Sequence, residues 1–242
     1  MGIPLHAIVS SLLVDGTWSL PPARSEAQVE LYSSLTTIQL APTQDYYEWE
    51  INGQVYTTYK TGQLYDYLCE PRPDVFWHKA VWISRAIPRH NFHAWLVVLN
   101  RIPTRDRLIN WGIQVDDRCL LCNSNQESRD HLFFTCNYSY DLWQIIARRL
   151  QLLPQRDWQA TLDQMISLST QTPQQILTLL AWQATLYWLW TERNARQHTN
   201  TFRTVDQIFK LLDRQLRSKI NSFRDSNPNR SSTMLQSWFR FG

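Results

Sequence analysis

The stretch "ILTLLAWQATLYWLW", residues 176–190, holds no charged side chain. Within a helix from Gln174 to about His198 it is apolar nearly all round, and such a helix is stable only when other elements surround it. A bilayer is the competing environment, but the run is short for one, and Thr178, Gln183 and Thr185 interrupt it. A mainly α, helical bundle-like fold built around this helix, with no membrane span, is the expectation. Twelve tryptophans against six glycines agree with packed helices and few tight turns. At 242 residues the chain is long enough for a real hydrophobic core.

One β signal stands apart. In "YEWEINGQVYTTY", residues 47–59, Trp49, Ile51, Val55 and Thr57 alternate about Asn52-Gly53. Asn-Gly supplies the two positive φ angles of a type I′ turn, so a small hairpin near the N-terminus is predicted. Thr61 is placed as the cap of a short helix through about Cys69, and Cys69 as a small core residue. Further helices are read after Asp74 in "VFWHKAVWIS", over 91–100, from Thr104 to Gly112, over 140–150 and 158–168, and from Thr204 to Phe223. Thr204 and Gln207 form a capping box there, and Val205, Ile208, Leu212, Leu216, Ile220 and Phe223 an apolar stripe. The implied organisation is a lead-in over 1–72, a metal-binding region over 73–152, a helical region over 153–224 and a disordered tail over 225–242.

Three of the four cysteines fall within eighteen residues, with a histidine between them, in "RCLLCNSNQESRDHLFFTCNY". Cys119, Cys122, His131 and Cys136 make a C-x2-C-x8-H-x4-C spacing. Zinc takes four such ligands in a tetrahedron, commonly two from a C-x2-C turn and two from a later segment. The turn lets both thiolates face one ion while the intervening amides face the sulfurs. On an ideal helix, residues five apart point about 140° away from each other. His131 is therefore expected on a short helical turn opened by Ser128 or Asp130 that ends before Cys136, with Leu132, Phe133 and Phe134 drying the site. A closed sphere leaves no place for a catalytic water, so one structural Zn2+ is expected. Three alternatives are weaker. A redox C-x-x-C belongs in a βαβ pattern, which is not visible. A Cys-His nucleophile leaves two cysteines unexplained. Unrelated buried cysteines would have to cluster by chance. His78, His90 and His93 are read as packed or surface histidines.

Net charge is +3 but uneven: −6 over residues 1–77, +5 over 78–111, −3 over 112–192 and +7 over 193–242. The basic blocks suit phosphates, or are ordinary solvated helix faces. No phosphate-binding Gly-rich loop, G-x-S-x-G or H-E-x-x-H is found. "LLVDGTW", 12–18, has the form of the first aspartate of an RNase H core, but the further carboxylates of a two-metal site are not found on strand-like segments. No polymerase carboxylate pair occurs, and Asp116-Asp117 lies in a polar turn before Cys119. The chain is read as not an enzyme and as having no small-molecule substrate. The start has no basic n-region, which points to an intracellular protein, nuclear or cytoplasmic.

Residues 76–143, from "FWHKAVWISRAIPRHNFHAWLVVLNRIPTRDRLINWG" through the four ligands to "ESRDHLFF" and Trp143, resemble the reverse transcriptase zinc-binding domain of plant LINE-type (non-LTR) retrotransposons. The shared features include Trp77, Trp82, Pro88, Phe92, Trp95 and "NRIPTRDRL". "WEINGQVYTTYKTGQLYDYL" resembles the lead-in, and "YWLWTERNARQH" (187–198) a W-x-x-W-x-E-R-N-x-R segment after the zinc module. Leu120 stands where the family usually has proline. In such elements this region follows an endonuclease and a polymerase, so the resemblance implies a stand-alone C-terminal polyprotein fragment associated with reverse transcription.

The function this implies is a non-catalytic zinc module assisting RNA or DNA binding, with other retroelement polyprotein domains as further partners. Arg85, Arg89, Arg101, Arg105 and Arg107 are the candidate nucleic-acid contacts. Trp82, Trp95 and Trp111, interleaved with them, are placed in the core. Alternatives are a protein-interaction scaffold using faces of the helices at 174–198 and 204–223, or a retroelement remnant without selected function.

Overall fold

The computed structural model describes residues 6, 8–38, 46–69, 73–168 and 172–240. They fall into two compact units, divided between Arg72 and Pro73.

The first unit is made of locally specified pieces. A 3-10 turn, Val9–Leu12, leads into β1 (Leu13–Val14), which pairs antiparallel with β2 (Thr17–Trp18). Asp15 and Gly16, the residues that suggested a nuclease aspartate, form the turn between them with φ of 48° and 78°. A helix that the sequence reading missed follows, α1 (Glu26–Thr36), capped by the Ser25 hydroxyl accepting from the Gln28 amide. The predicted hairpin is present as β3 (Trp49–Ile51) and β4 (Gln54–Tyr56), with Asn52 and Gly53 both at positive φ. The last piece is α2 (Thr61–Leu68), where Lys60 is the N-cap and Thr61 already helical. Cys69 is exposed, not in a core.

The second unit contains the hydrophobic core. It runs through α3 (His78–Val81), α4 (Pro88–Val98), α5 (Arg105–Asn110), a π-helical turn (His131–Thr135), α6 (Asn137–Leu150), α7 (Trp158–Ile166), α8 (Pro173–Thr199), α9 (Val205–Asn221) and α10 (Pro228–Phe239). The apolar helix is α8. It opens on a capping box between Thr172 and Gln175 and packs against α4, α6, α9 and α10. Every residue from Ile176 to Leu186 is buried. Gln183 is tolerated there because its amide donates to the carbonyls of Ala80 (2.9 Å) and Val81 (2.8 Å), the frayed end of α3. No described helix is long and apolar enough to cross a membrane.

Several expectations change. The helix after Asp74 is only one turn, and Pro88 is the first residue of α4 rather than a break before a later helix. Thr104 and Gly112 frame α5 as read, with Gly112 at φ 81° and the Ile113 amide bonded back to the Leu108 carbonyl. The tail expected to be disordered forms α10. Asn227 caps it, Pro228 starts it, and Met234 and Trp238, four apart, are fully buried. The Trp238 indole donates to Asp213 (2.7 Å) and the Ser231 hydroxyl to the Ile220 carbonyl (2.9 Å). The apolar stripe of α9 lies inside this core, as does most of α8, so neither offers the broad free face that the scaffold alternative assumed.

Candidate metal centre

An antiparallel bridge between Arg118 and Gln126 closes the loop that carries the first two cysteines. Inside it the Cys119 amide bonds the Asn125 carbonyl (2.7 Å), and the Asn123 amide bonds the Cys119 carbonyl (2.7 Å). Asn123 takes the left-handed conformation that turns the chain back, at φ 55°. The Leu121 amide points at Cys119 Sγ, 3.4 Å away, as the spacing implied. Asp116 and Asp117 act locally, bonding Arg118 and Gln126 respectively.

The second pair sits on a short turn that ends before Cys136, as expected, but the turn is of the π form. Ser128 opens it by accepting from the His131 amide (3.2 Å). It widens, and the Cys136 amide reaches the His131 carbonyl, five residues back, at 2.7 Å. That π geometry brings positions 131 and 136 onto one side of the backbone. Cys136 then serves as N-cap of α6 in extended conformation. Leu132, Phe133 and Phe134 are completely buried behind the ligands, with Phe134 packed on Trp143 and Trp158.

The donor atoms of Cys119, Cys122, His131 and Cys136 all lie within 4.8 Å of one another. Cys122 Sγ and His131 Nε2 are 3.3 Å apart. A tetrahedral ion at ordinary zinc–sulfur and zinc–nitrogen lengths separates its donors by about 3.5–3.8 Å, so the cluster fits a metal ion. Electrostatics point the same way. A hydrogen bond from Cys119, helped by His131 and by the Ser139 amide at the start of α6, holds the Cys136 thiol well below its ordinary value. Cys119, bonded to that sulfur and buried, is pushed far upward. His131 is raised, chiefly by Cys136. The buried thiols thus compete for a proton, and a dication in their midst removes that competition.

Side chains that the sequence reading left without a role hold this loop in place. Glu127 is completely buried. Its Oε1 accepts from the Arg105 amide (3.1 Å) and from Arg193 Nε and Nη2 (3.1 and 2.7 Å), and its Oε2 from the Leu120 amide (3.2 Å). Arg196 donates to the carbonyls of Leu120 (3.1 Å) and Leu121 (2.8 Å), and is itself held by Glu192 (2.8 Å). Glu192 also accepts from the Arg203 amide (2.8 Å). The last turns of α8 therefore brace the cysteine turn through a paired, buried network. The signal was present in "TERNAR": charges ending a helix this buried must have partners.

The five arginines divide. Arg105 reaches inward, donating to the Arg118 carbonyl (2.7 Å) with Asp116 at 3.9 Å, so it too braces the metal loop. Arg107 lies over Trp111 (5.1 Å) and Arg89 over Tyr187 (5.2 Å). Arg85 and Arg101 are exposed. Of the tryptophans placed in the core, Trp95 is half-buried and packs against it, whereas Trp82 and Trp111 are 48% and 56% exposed. Trp82 follows the single turn of α3 and Trp111 caps α5, so neither sits on the helical face that the spacing suggested. His90 and His93 are buried against Tyr187 and Trp190.

Residues 59–143 match the family described as zinc-binding in reverse transcriptase. The match covers all four ligands and Glu127 and stops short of α8. No curated protein and no solved structure gives a match.

Proposed function

We propose that this chain is a non-catalytic module from the reverse transcriptase of a plant LINE-type element, in which one structural zinc fixes a helical platform that assists RNA or DNA binding. The observation that carries the reading is the convergence of three buried or half-buried cysteines and a histidine in a segment matching a reverse transcriptase zinc-binding family. Cys119, Cys122, His131 and Cys136 would hold the ion, which supplies positive charge to offset the thiolates and ties the loop to the start of α6. The chain does the rest: Leu132, Phe133 and Phe134 exclude water, the Leu121 amide orients one sulfur, and Glu127 and Arg196 fix the backbone between the cysteines.

Elemental analysis of the purified chain, beside a Cys119→Ser, Cys136→Ser variant, tests the site. One tightly held zinc per chain in the parent and none in the variant is expected, and a folded parent without metal refutes it. Salt-sensitive binding of single-stranded RNA or DNA tests the second half.

A second reading has one observation in its favour. Phe76, Trp82 and Phe92 are 69%, 48% and 52% exposed, with Trp82 and Phe92 both against the ring of Trp95. An aromatic surface of this kind suits docking to another polypeptide. Salt-insensitive self-association in sedimentation, lost in a Trp82→Ser, Phe92→Ser variant, would favour it.

A further inference from the structure

An open groove of about 600 Å³ lies between the start of α4, the middle of α8 and one face of α9. Arg89, Arg214 and Lys219 line it, Ser218 adds a hydroxyl, and Trp188 and Leu211 give it an apolar floor. No acidic side chain lines it. Arg85 stands close enough to Lys219 that, after partial burial, it is the second influence pushing that ammonium below its ordinary value. Among the described residues none of Arg85, Arg89, Arg214 and Lys219 takes part in an ion pair. Arg89 and Lys219 lie over the rings of Tyr187 and Phe223 instead. Arg217, two residues before Lys219, is by contrast paired with Asp213. Of the cations of α9, Arg214 and Lys219 face the groove without a counter-ion, whereas Arg217 is paired.

We propose that this groove binds the phosphodiester backbone of a single-stranded nucleic acid, with Arg85, Arg89, Arg214 and Lys219 on the phosphates and Trp188 and Leu211 against sugar or base. The proposal rests on the nucleic-acid reading above and adds a place for it: α9, which the sequence reading did not include among the contacts, joins Arg85 and Arg89. Positive charge without counter-ions is costly to gather and is relieved by a polyanion. The groove is open to solvent, which suits a polyanion lying across it better than an enclosed small anion. The indole of Trp188 is held by Gln215 Oε1 at 2.7 Å, so its ring is already oriented for a partner.

The test is fluorescence anisotropy of a labelled single-stranded RNA, and of the matching DNA, with the full zinc-loaded chain. Four phosphate contacts give a log–log salt slope of about −2.8, so affinity falls roughly fifty-fold between about 50 and 200 mM salt. An Arg85→Gln, Arg89→Gln, Arg214→Gln, Lys219→Gln variant, with zinc content and helicity unchanged, is expected to weaken binding at least about ten-fold and flatten that slope. An Arg24→Gln, Arg148→Gln control, altering exposed arginines outside the groove, is expected to leave both unchanged. Binding that survives the groove changes but is lost on Arg101→Gln, Arg107→Gln overturns the groove and spares the nucleic-acid reading. No binding by the parent at low salt overturns both. Parent binding to phosphatidylserine vesicles in preference to either oligonucleotide, or displacement of the RNA by millimolar inorganic phosphate, also overturns the assignment.

Discussion

From residue 6 to residue 69 no described side chain is buried, whereas residues 73–240 enclose Trp143, Trp158, Trp182 and Trp238 with almost no exposure. Both stretches contain well-formed elements. Those of the first are specified over a few residues: Asp15-Gly16 and Asn52-Gly53 at positive φ, and Ser25 capping α1. Those of the second are held by partners far away in sequence, as when Gln183 bonds Ala80, 103 positions earlier, or Arg193 bonds Glu127, 66 positions earlier. Local rules are enough to form a hairpin or a helix. They do not remove apolar surface from water, and isolated hairpins and short helices are marginal in water. The cysteine–histidine cluster belongs with the second stretch, although its four residues fall within eighteen positions of one another.

Metal removal should separate the two regions most sharply. Structural zinc contributes an apparent ~10–16 kcal/mol in small finger peptides. Chelation, or the Cys119→Ser, Cys136→Ser change, is expected to abolish amide protection over 118–138 in hydrogen exchange while leaving 49–56 as it was. Equal loss in both would show that the contrast is wrong. Glu127→Ala strands the buried Arg193 and frees two amides, at a cost of about 3–5 kcal/mol. Arg118→Ala, breaking an exposed pair with Asp116, should leave the urea midpoint nearly where it was. Urea midpoints of the two variants measure the difference. Trp238→Ala is expected to cost about 3–5 kcal/mol, because α10 is part of the core; a cost near zero would return the tail to the disordered class.

Acid should act on the second region. Burial holds His90 at about 3 and His93 at about 4 in the fold, and Arg89 adds to the effect at His90. The unfolded imidazoles titrate near 6.5. Their contribution is complete above pH 6.5 and is lost as pH falls toward 4 and 3, where the unfolded chain takes up protons that the fold refuses. Each supplies a slope of up to about 1.4 kcal/mol per pH unit in that window. Urea midpoints between pH 7 and 4.5 should show it, and a His90→Gln, His93→Gln variant should flatten the dependence. The most local effect belongs to the hairpin. Gly53→Ala at φ 73° should cost about 1 kcal/mol locally, opening 49–56 to exchange without moving the global transition.

Much of this molecule is legible in short spans of sequence. The Cys119, Cys122, His131 and Cys136 cluster, the Asn-Gly hairpin, the capping box at Thr204 and the buried character of the helix at 174–198 each follow from one continuous stretch of at most some twenty-five residues. The ligand geometry was only half legible. Spacing implied that an ordinary helix could not serve both His131 and Cys136, but the π turn that serves them is set by packing of Leu132, Phe133 and Phe134 and by the bond from the Ser139 hydroxyl to the Leu132 carbonyl. Asn-Pro at 227–228 and the Met234–Trp238 spacing were visible signals for α10, obscured by the polar run before them.

What sequence alone determined is therefore the donor set, the turns and the helical class. Tertiary structure alone decided which charges are structural and which are free. Arg105 and Arg107 are two residues apart and chemically identical, yet one is pinned to the Arg118 carbonyl beside the metal loop and the other lies against Trp111. Glu127 stands in a polar stretch that reads as surface, and it is the most enclosed acid of the loop. A buried charge is tolerable only where a partner arrives to meet it, and here the partners come from the far end of α8.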